Sequence, residues 1–421
     1  MAKIKIREFG PIREGFLENN GYIDIRKVTV FIGDQGSGKS TVAKLISTFS
    51  WIEKVLVNGI YDKDWFMQED KFRDEYLSYH RLEHYFRHEN GVELTEIDYW
   101  GERYRLHYAK GALDVDLLLD GDYELPQIMY VPAERNFIAN VKNAKALKMT
   151  SDALVEFVTE YDNAKQAING GLELPIKGTA VEYDQDRDIV NLRGKDYALA
   201  LTEASSGYQS LVPLFLVSKF LAERVAQGIA GQENMSSQEL ERFRKYVADI
   251  YDNTNLTDDQ RRAALSVLSG RFNKTAFINI VEEPEQNLFP TSQWDMLKSL
   301  LEFNSMGAHN QLIMTTHSPY VIAYLSLCIQ AKSLWDKIGD RKDLQTEVEK
   351  IVPKHAFLKD DDSIFYQLKS DGSIARIAEY EGVPTDNNSL NESLRNANVD
   401  FDKLLEIEQG MSPGPQKLKK G

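Results

Sequence analysis

At 421 residues, 42% of them hydrophobic, the chain is long enough to bury the core of one large α/β domain with insertions, or of two or three smaller ones. A formal net charge of −15 excludes a protein whose whole surface grips nucleic acid, since that binding is dominated by phosphate neutralisation; a local basic patch is still allowed. Cys328, the one cysteine, excludes an internal disulfide framework and a cysteine-based zinc site, fits a reducing compartment, and reads as a small core residue beside Leu327 and Ile329.

Met1 to Phe9 alternate polar and apolar residues like a strand and lack the continuous apolar segment of a signal peptide. A turn at Gly10-Pro11 and a strand from Tyr22 to Arg26 follow. The apolar run Val28 to Ile32 then meets Gly33-Asp34-Gln35-Gly36-Ser37-Gly38-Lys39-Ser40-Thr41 and opens into the helical pattern Val42 to Ile46. Strand, glycine-rich turn and helix form the context in which GxxxxGK(S/T) holds a nucleotide phosphate chain. The glycines let successive N–H groups point at phosphate oxygens, and the positive end of the helix adds to the attraction. Lys39 reaches the β- and γ-phosphates in such a turn, and the Ser40 hydroxyl ligates Mg²⁺.

Between about 50 and 92, Trp51, Val55, Phe72, Tyr76, Tyr79 and Tyr85 fall at helical spacing and predict one or two inserted helices. His80, His84 and His88 recur there four apart; with no catalytic partner near them they read as a solvated or packing face. An antiparallel meander is predicted over 93–132, as Leu94 to Trp100, Arg103 to Tyr108, Leu113 to Leu119 and Gln127 to Val131. Lys142 to Ile168 returns to helix, with Lys142, Lys145 and Lys148 on a solvated face. A hairpin of Thr179–Tyr183 and Asp188–Leu192, a helix from Gly207 to about Gly228, and a helical hairpin over 236–269 with capping boxes at Ser236 and Thr257 come next.

Buried strands are predicted at Thr275–Val281 and Gln311–Thr315, with helices from Pro290 and from Ser318 to about Lys332. A C-terminal extension over 336–411 carries a small hairpin, Ser363–Leu368 with Ser373–Ile377, and 412–421 reads as a disordered tail. The most apolar stretch, Leu211 to Ala222, is too short to span a bilayer, so a soluble cytoplasmic protein with no membrane partner is expected.

The strand ending at Val281 runs into Glu282-Glu283-Pro284-Glu285. Buried carboxylates are costly without partners, so acids clustered at a strand end suggest a bound cation or a reaction site. Glu282 suits Mg²⁺, directly or through water, and Glu283 suits the orientation and polarisation of a water attacking a γ-phosphate. The next strand ends at Thr316-His317-Ser318, where a histidine suits a hydrogen bond to that phosphate. Ala204-Ser205-Ser206-Gly207-Tyr208-Gln209-Ser210, by itself a serine-rich N-cap, precedes an apolar helix.

Lys39, Ser206-Gly207, Glu282-Glu283 and His317, in that order, resemble the motifs of ABC-type ATPases, in the branch that includes RecF, the structural-maintenance (SMC) proteins and the OLD-type ATPases. The resemblance covers most of residues 1–335. It implies an α/β fold: an ABC-type P-loop ATPase core with a mixed sheet, an antiparallel β meander and helical insertions, a signature lobe at about 140–230, and a Walker B and histidine-loop part at about 275–335. It implies ATP and Mg²⁺ as cofactors, with Gly33, Asp34, Gln35, Gly36, Ser37, Gly38, Lys39, Ser40, Thr41, Ser206, Gly207 and Gln209 on ATP. Ser40 and Glu282 would be metal ligands, and Glu283 and His317 catalytic. It further implies a homo-oligomer of ATP-sandwich dimers, the signature of one protomer closing over the nucleotide held by the other.

Several residues depart from the family pattern. Tyr208 replaces the second glycine of LSGGQ, Glu282 replaces an aspartate, and Asn287 and Phe289 replace both histidines of EPExHLHP. Gln127 or Arg135 is the candidate coupling residue between the phosphate and signature lobes. The compact size, the run Glu282 to Pro290 and the absence of a second catalytic constellation are similar to the ATPase subunits of PARIS-type anti-phage defence systems. That likeness implies a Toprim nuclease effector subunit and a phage protein as trigger. A RecF-like DNA-repair or chromosome-maintenance ATPase binding duplex DNA is the alternative reading, and the nucleotide-binding subunit of a transporter a third.

Overall fold

The computed structural model describes residues 1–118, 123–140, 151–228, 237–252 and 273–411. Strands β1 (Lys3–Arg7), β2 (Gly15–Phe16), β3 (Tyr22–Asp24) and β4 (Val28–Gly33) lead through the glycine-rich turn into helix α1 (Lys39–Val57). One helical turn, α2 (Lys63–Phe66), and a hairpin of β5 (His88–Glu89) and β6 (Val92–Glu93) precede β7 (Glu96–Trp100), β8 (Tyr104–Ala109), β9 (Ala112–Leu117) and β10 (Pro126–Val131). Next come α3 (Asp152–Gln166), β11 (Leu172–Glu173), β12 (Ala180–Asp184), β13 (Ile189–Arg193), β14 (Ala198–Ala200), α4 (Ser206–Ala226) and α5 (Ser237–Asp252). The chain continues with β15 (Ala276–Glu282), α6 (Pro290–Ser305), β16 (Gln311–Thr316), α7 (Pro319–Ile338), α8 (Lys342–Ile351), β17 (Ser363–Leu368), β18 (Ser373–Arg376) and α9 (Ser389–Met411).

Seven strands form the central sheet in the order β10-β15-β16-β4-β17-β18-β2, and the first five run parallel. Every residue of β4 and β15 is buried, as expected for parallel strands covered on both faces. Val28, Val30 and Ile32 share one core with Phe157 of α3, Leu214 of α4, Leu297 of α6 and Leu325 of α7. Phe31 belongs to a second core, with Phe49 of α1 and the antiparallel sheet β3-β1-β7-β8-β9. A four-stranded sheet, β11-β12-β13-β14, adds Val181 and Leu192 to the first core. The chain is therefore an α/β protein with a mixed central sheet and an antiparallel sheet packed across α1. No described helix is long and apolar enough to cross a membrane.

The segment 50–92 differs from the inserted helices expected of it. It holds the end of α1, the short α2, a π-helical turn at Phe72–Leu77 and a 3₁₀ turn at Ser78–His80. Trp51 and Val55 lie on α1, and the rings beyond it pack on one another and on Trp51, with Trp51 5.5 Å from Tyr76, Tyr61 5.2 Å from Trp65 and Phe66 5.0 Å from Tyr76, so cluster packing replaces a helical repeat there. Strand β10 leaves the meander and pairs in parallel with β15, from Pro126 opposite Ala276 to Val131 opposite Val281. The hairpin expected in a C-terminal extension lies inside the central sheet, where β17 pairs with β4 from Ser363 opposite Val28 to Leu368 opposite Gly33. A boundary at 335 would therefore cut the sheet. The first arm of the expected helical hairpin is α5; its second arm, Lys142, Lys145, Lys148 and the tail 412–421 lie outside the described residues.

Candidate functional site

The carboxyl ends of β4, β16 and β15 are neighbours in the central sheet and carry the glycine-rich turn, His317 and the paired acids. In parallel α/β sheets this edge is where ligands bind. The turn needs glycine where the chain crowds it: Gly33 has φ 145, and a Cβ there would lie 2.2 Å from the Leu368 carbonyl oxygen. Gly38, at φ 102, directly precedes the first residue of α1, whose positive end faces the turn. Asp34, Gln35, Gly36 and Ser40 are exposed, whereas Ser37, Lys39 and Thr41 are buried. The Lys39 ammonium donates to the Gly33 and Asp34 carbonyls, each at 2.8 Å. Burial pushes the Lys39 pKa down to about 8, against the opposing pull of Glu283, Asp34, Glu285 and Glu282. The acids at and just beyond the end of β15, two places from β4 in the sheet, thus act on the Lys39 charge.

Glu282, buried at the end of β15, accepts from the Ala133 N–H at 3.1 Å through Oε2, and the Tyr130 hydroxyl lies beside the same carboxylate. The buried Glu282 carboxylate and the exposed Ser40 hydroxyl are hard oxygen donors, the type that Mg²⁺ takes. Glu283 takes a left-handed φ of 44, and its N–H donates to the Thr315 carbonyl at 2.9 Å. Non-glycine residues in that conformation are strained and cluster at working sites. Its Oε1 stands 3.6 Å from His317 Nε2, with both side chains about one-third exposed. Burial, then the nearby Lys39 charge, lowers the His317 pKa, so the ring is neutral at neutral pH and the contact is not an ion pair.

Two residues whose roles were open or unassigned in the sequence hold this arrangement in place. Glu285 is half-buried with its pKa raised by desolvation, and its Oε1 accepts from the His317 backbone N–H at 2.7 Å. Arg135 is completely buried and spends its guanidinium on carbonyls: Nε on Ser210 at 3.1 Å, Nη1 on Pro132 at 3.2 Å and Glu282 at 2.6 Å, and Nη2 on Glu283 at 2.6 Å. Burial lowers its pKa to about 10, a value that still leaves it charged. Of the two candidate coupling residues, Gln127 lies near the start of β10, away from the site, with Nε2 3.4 Å from the Ile128 carbonyl. The signal for Arg135 was an arginine just past a mostly apolar strand; its partners are backbone atoms, which a sequence does not display.

At the start of α4, Ser205 and Ser206 are exposed. Gln209, assigned to ATP by resemblance, turns its Nε2 onto the carbonyls of Thr202 and Ala204, both at 3.1 Å, and so shapes the turn before the helix. Tyr208, in place of a glycine, is half-buried and reaches Thr179 and Tyr197 of the four-stranded sheet region. His80, His84 and His88 do not converge: His80 is buried against Tyr79 and Tyr130, and the other two side chains are exposed. Among the described residues no three His, Cys, Asp or Glu side chains gather as a metal cluster.

A family model described as an AAA ATPase domain matches residues 260–322, the part that carries Glu282, Glu283 and His317. No curated protein matches the chain. Among solved structures the chain is similar to an SMC head bound to the C-winged helix domain of ScpA, at 12% identity over 89% of this chain and 96% of that one, with a TM-score of 0.35. The SMC head domain from Thermotoga maritima is 15% identical over 76% and 90% of the two chains, TM-score 0.27. A dimeric post-hydrolysis state of the ATP-binding cassette MJ0796 bound to ADP and Pi is 11% identical over 90% and 100%, TM-score 0.29.

Proposed function

We propose that the chain is an ABC-type ATPase that binds ATP with Mg²⁺, assembles through ATP-sandwich dimers and hydrolyses ATP slowly, as a regulatory step. The observation that carries this reading is the meeting of Lys39, Glu283 and His317 at one edge of the sheet, with Glu283 Oε1 3.6 Å from His317 Nε2. In this reading the Lys39 ammonium exchanges the Gly33 and Asp34 carbonyls for phosphate oxygens. Ser40 and Glu282 hold Mg²⁺, which when bound neutralises charge on the phosphates. Glu283 orients the attacking water and takes up its proton, while neutral His317 donates a hydrogen bond where charge develops. Ser206 and the free N–H groups beginning α4 form a second anion site, exposed and available to a nucleotide held by another protomer.

Loss of the γ-phosphate would weaken such a joint, so the assembly becomes dependent on ATP. We extend the reading to an ATP-dependent scaffold in anti-phage defence, resembling AriA of the PARIS system, that restrains a separate Toprim nuclease until a phage protein is sensed. Support comes from the run Glu282 to Pro290. The decisive experiment is light scattering of Glu283→Gln with and without ATP and Mg²⁺. An ATP-dependent dimer is expected, and a monomer under both conditions would overturn the reading. Co-expression with a Toprim nuclease encoded beside the gene tests the effector. Steeply salt-dependent binding to duplex DNA without such a partner would favour the RecF-like alternative.

A further inference from the structure

The Glu282 carboxylate is held from one short stretch of chain at the end of β10. Its Oε2 accepts from the Ala133 N–H at 3.1 Å, and the Tyr130 hydroxyl lies beside the same group. Register explains the meeting: Tyr130 pairs with Ile280, two residues before Glu282, so strand alternation puts phenol and carboxylate on the same face of the sheet. Tyr130 is 4% exposed, and its hydroxyl has no partner elsewhere among the described residues. Burial, then the Glu282 charge, pushes its pKa well up, so the phenol keeps its proton and meets the carboxylate as a donor. A second ring stands behind the first. His80, which ends the 3₁₀ turn Ser78–His80, is 2% exposed and packs on the Tyr130 ring at 4.6 Å. Neither of its ring nitrogens has a hydrogen-bond partner among the described residues, which makes it a costly filler for an apolar gap. Burial, then the Lys44 charge, lowers its pKa to about 3, so the ring is neutral and brings no cation to compete with the phenol.

We propose that Tyr130 is a positioning residue that holds the Glu282 carboxylate for Mg²⁺, and that His80 backs it from the segment 50–92. The inference rests on the reading of Ser40 and Glu282 as metal ligands. A glutamate has one more rotatable bond than the aspartate it replaces, so its oxygens are less fixed unless something else fixes them. Two donors from one strand end remove that freedom. The Ala133 N–H holds one oxygen, and the Tyr130 hydroxyl steadies the group from the face that carries α1. A hydrogen bond to a ligating carboxylate orients it toward the metal, and losing such a bond costs about 10–100-fold in metal affinity. The phenol can do this only while its ring stays in place. Leu77, Phe49 and Phe72 share the core that encloses Tyr130, and His80 supplies the ring contact nearest the hydroxyl's own aromatic ring. The segment 50–92 thereby reaches the metal site without presenting a ligand to it.

The test uses the full chain and measures the affinity of a fluorescent ADP analogue in EDTA and over a Mg²⁺ series, together with the melting temperature of each protein. Tyr130→Phe keeps the ring and removes only the donor. It should leave affinity in EDTA within about threefold of wild type and raise the Mg²⁺ concentration for half-maximal effect by about 10–100-fold. Glu282→Gln should raise that concentration by itself, and adding Tyr130→Phe to it should raise it no further, because the two residues act as one unit. His80→Ala frees the phenol ring without touching the carboxylate; it should shift the Mg²⁺ requirement in the same direction, and it carries the test if Tyr130→Phe does not fold. An unchanged Mg²⁺ requirement in folded Tyr130→Phe, or in folded His80→Ala where the first variant fails, overturns the positioning role and leaves Glu282 as a ligand if Glu282→Gln shows its own shift. An equal loss of affinity in EDTA also overturns it, since the pocket rather than the metal site is then damaged. If Glu282→Gln leaves the Mg²⁺ requirement unaltered, the ligand reading falls as well.

Discussion

His317 Nε2 faces Glu283 Oε1 across 3.6 Å, at the adjoining ends of β16 and β15. The glutamate is fixed through its main chain, by the Thr315 carbonyl on one side and Arg135 on the other, while its carboxylate stays one-third exposed. The histidine is fixed through its N–H by Glu285. Both side chains are thus free to meet a ligand while their backbones are held. Glu283→Gln keeps the shape and removes the base. It should leave ATP affinity within a few-fold and slow hydrolysis by roughly 10²–10⁴-fold, read as single-turnover phosphate release. Unaltered turnover would move the general base to another residue.

Lys39 supplies a second prediction, with a pH signature. Its pKa is lowered to about 8 by burial, and phosphate binding requires the charged ammonium. Below pH 8 the amine is already protonated, so ATP affinity should be flat there. Above pH 8 each binding event must take up a proton, and affinity should fall by about tenfold per pH unit. Lys39→Ala should abolish binding and turnover at every pH. A titration with a fluorescent ATP analogue between pH 7 and 10 checks the slope; a flat profile would show that the amine stays charged.

The placement of the candidate site was legible because its residues follow the mostly apolar runs Val28–Ile32, Ala276–Val281 and Gln311–Thr316. A continuous apolar run that breaks into glycines, acids or a histidine marks the point where a buried strand reaches a working edge. Long-range pairing had no such mark. Ser363 pairs with Val28 across more than 300 residues, and a Ser363–Arg376 hairpin looks the same in sequence whether it stands alone or joins a parallel sheet. Trp51 and Val55 do lie on α1, but beyond it the rings of Tyr61, Trp65, Phe66 and Tyr76 pack on one another without one continuous helix. Arg135 stayed one of two coupling candidates and Glu285 went unassigned because both act on backbone atoms.

Glu53 of α1 gives a stability prediction remote from the nucleotide edge. It is 2% exposed, accepts from the Arg103 and Tyr104 N–H groups at 2.7 and 3.2 Å through Oε1, and from the Tyr99 hydroxyl at 3.2 Å through Oε2. These bonds fasten the turn between β7 and β8 to the helix that follows the glycine-rich turn. Glu53→Ala should cost about 2–4 kcal/mol in denaturant unfolding, because the two backbone donors would be left unmatched. ADP affinity measured below the unfolding transition should be little changed. A loss under about 0.5 kcal/mol would mean that water replaces the carboxylate at no cost.

Strand β17 leads to the last prediction. It flanks β4 in parallel, so the strand that delivers the glycine-rich turn has its second neighbour from a segment beyond residue 360. The contact is close at the turn itself, where the Leu368 carbonyl lies 2.2 Å from the place a Gly33 Cβ would occupy. Tyr366 stacks on Phe31 at 5.6 Å, accepts from the Asp24 N–H at 2.9 Å and donates to the Asp24 carbonyl at 3.3 Å, linking β17 to β3 as well. A chain ending at residue 352 should therefore lose both cooperative unfolding and ATP binding, because β4 would become a bare sheet edge. A chain ending at residue 396 keeps β17, β18 and the Ser389 N–H bond to Gln367, so it should fold and bind ATP. Tyr366→Ala in the full chain should cost about 3–5 kcal/mol, since a large buried ring is lost together with its polar contacts. Circular dichroism melts and nucleotide titrations of the three proteins distinguish this from an independent C-terminal extension, for which the 352-residue chain would melt and bind like the full chain.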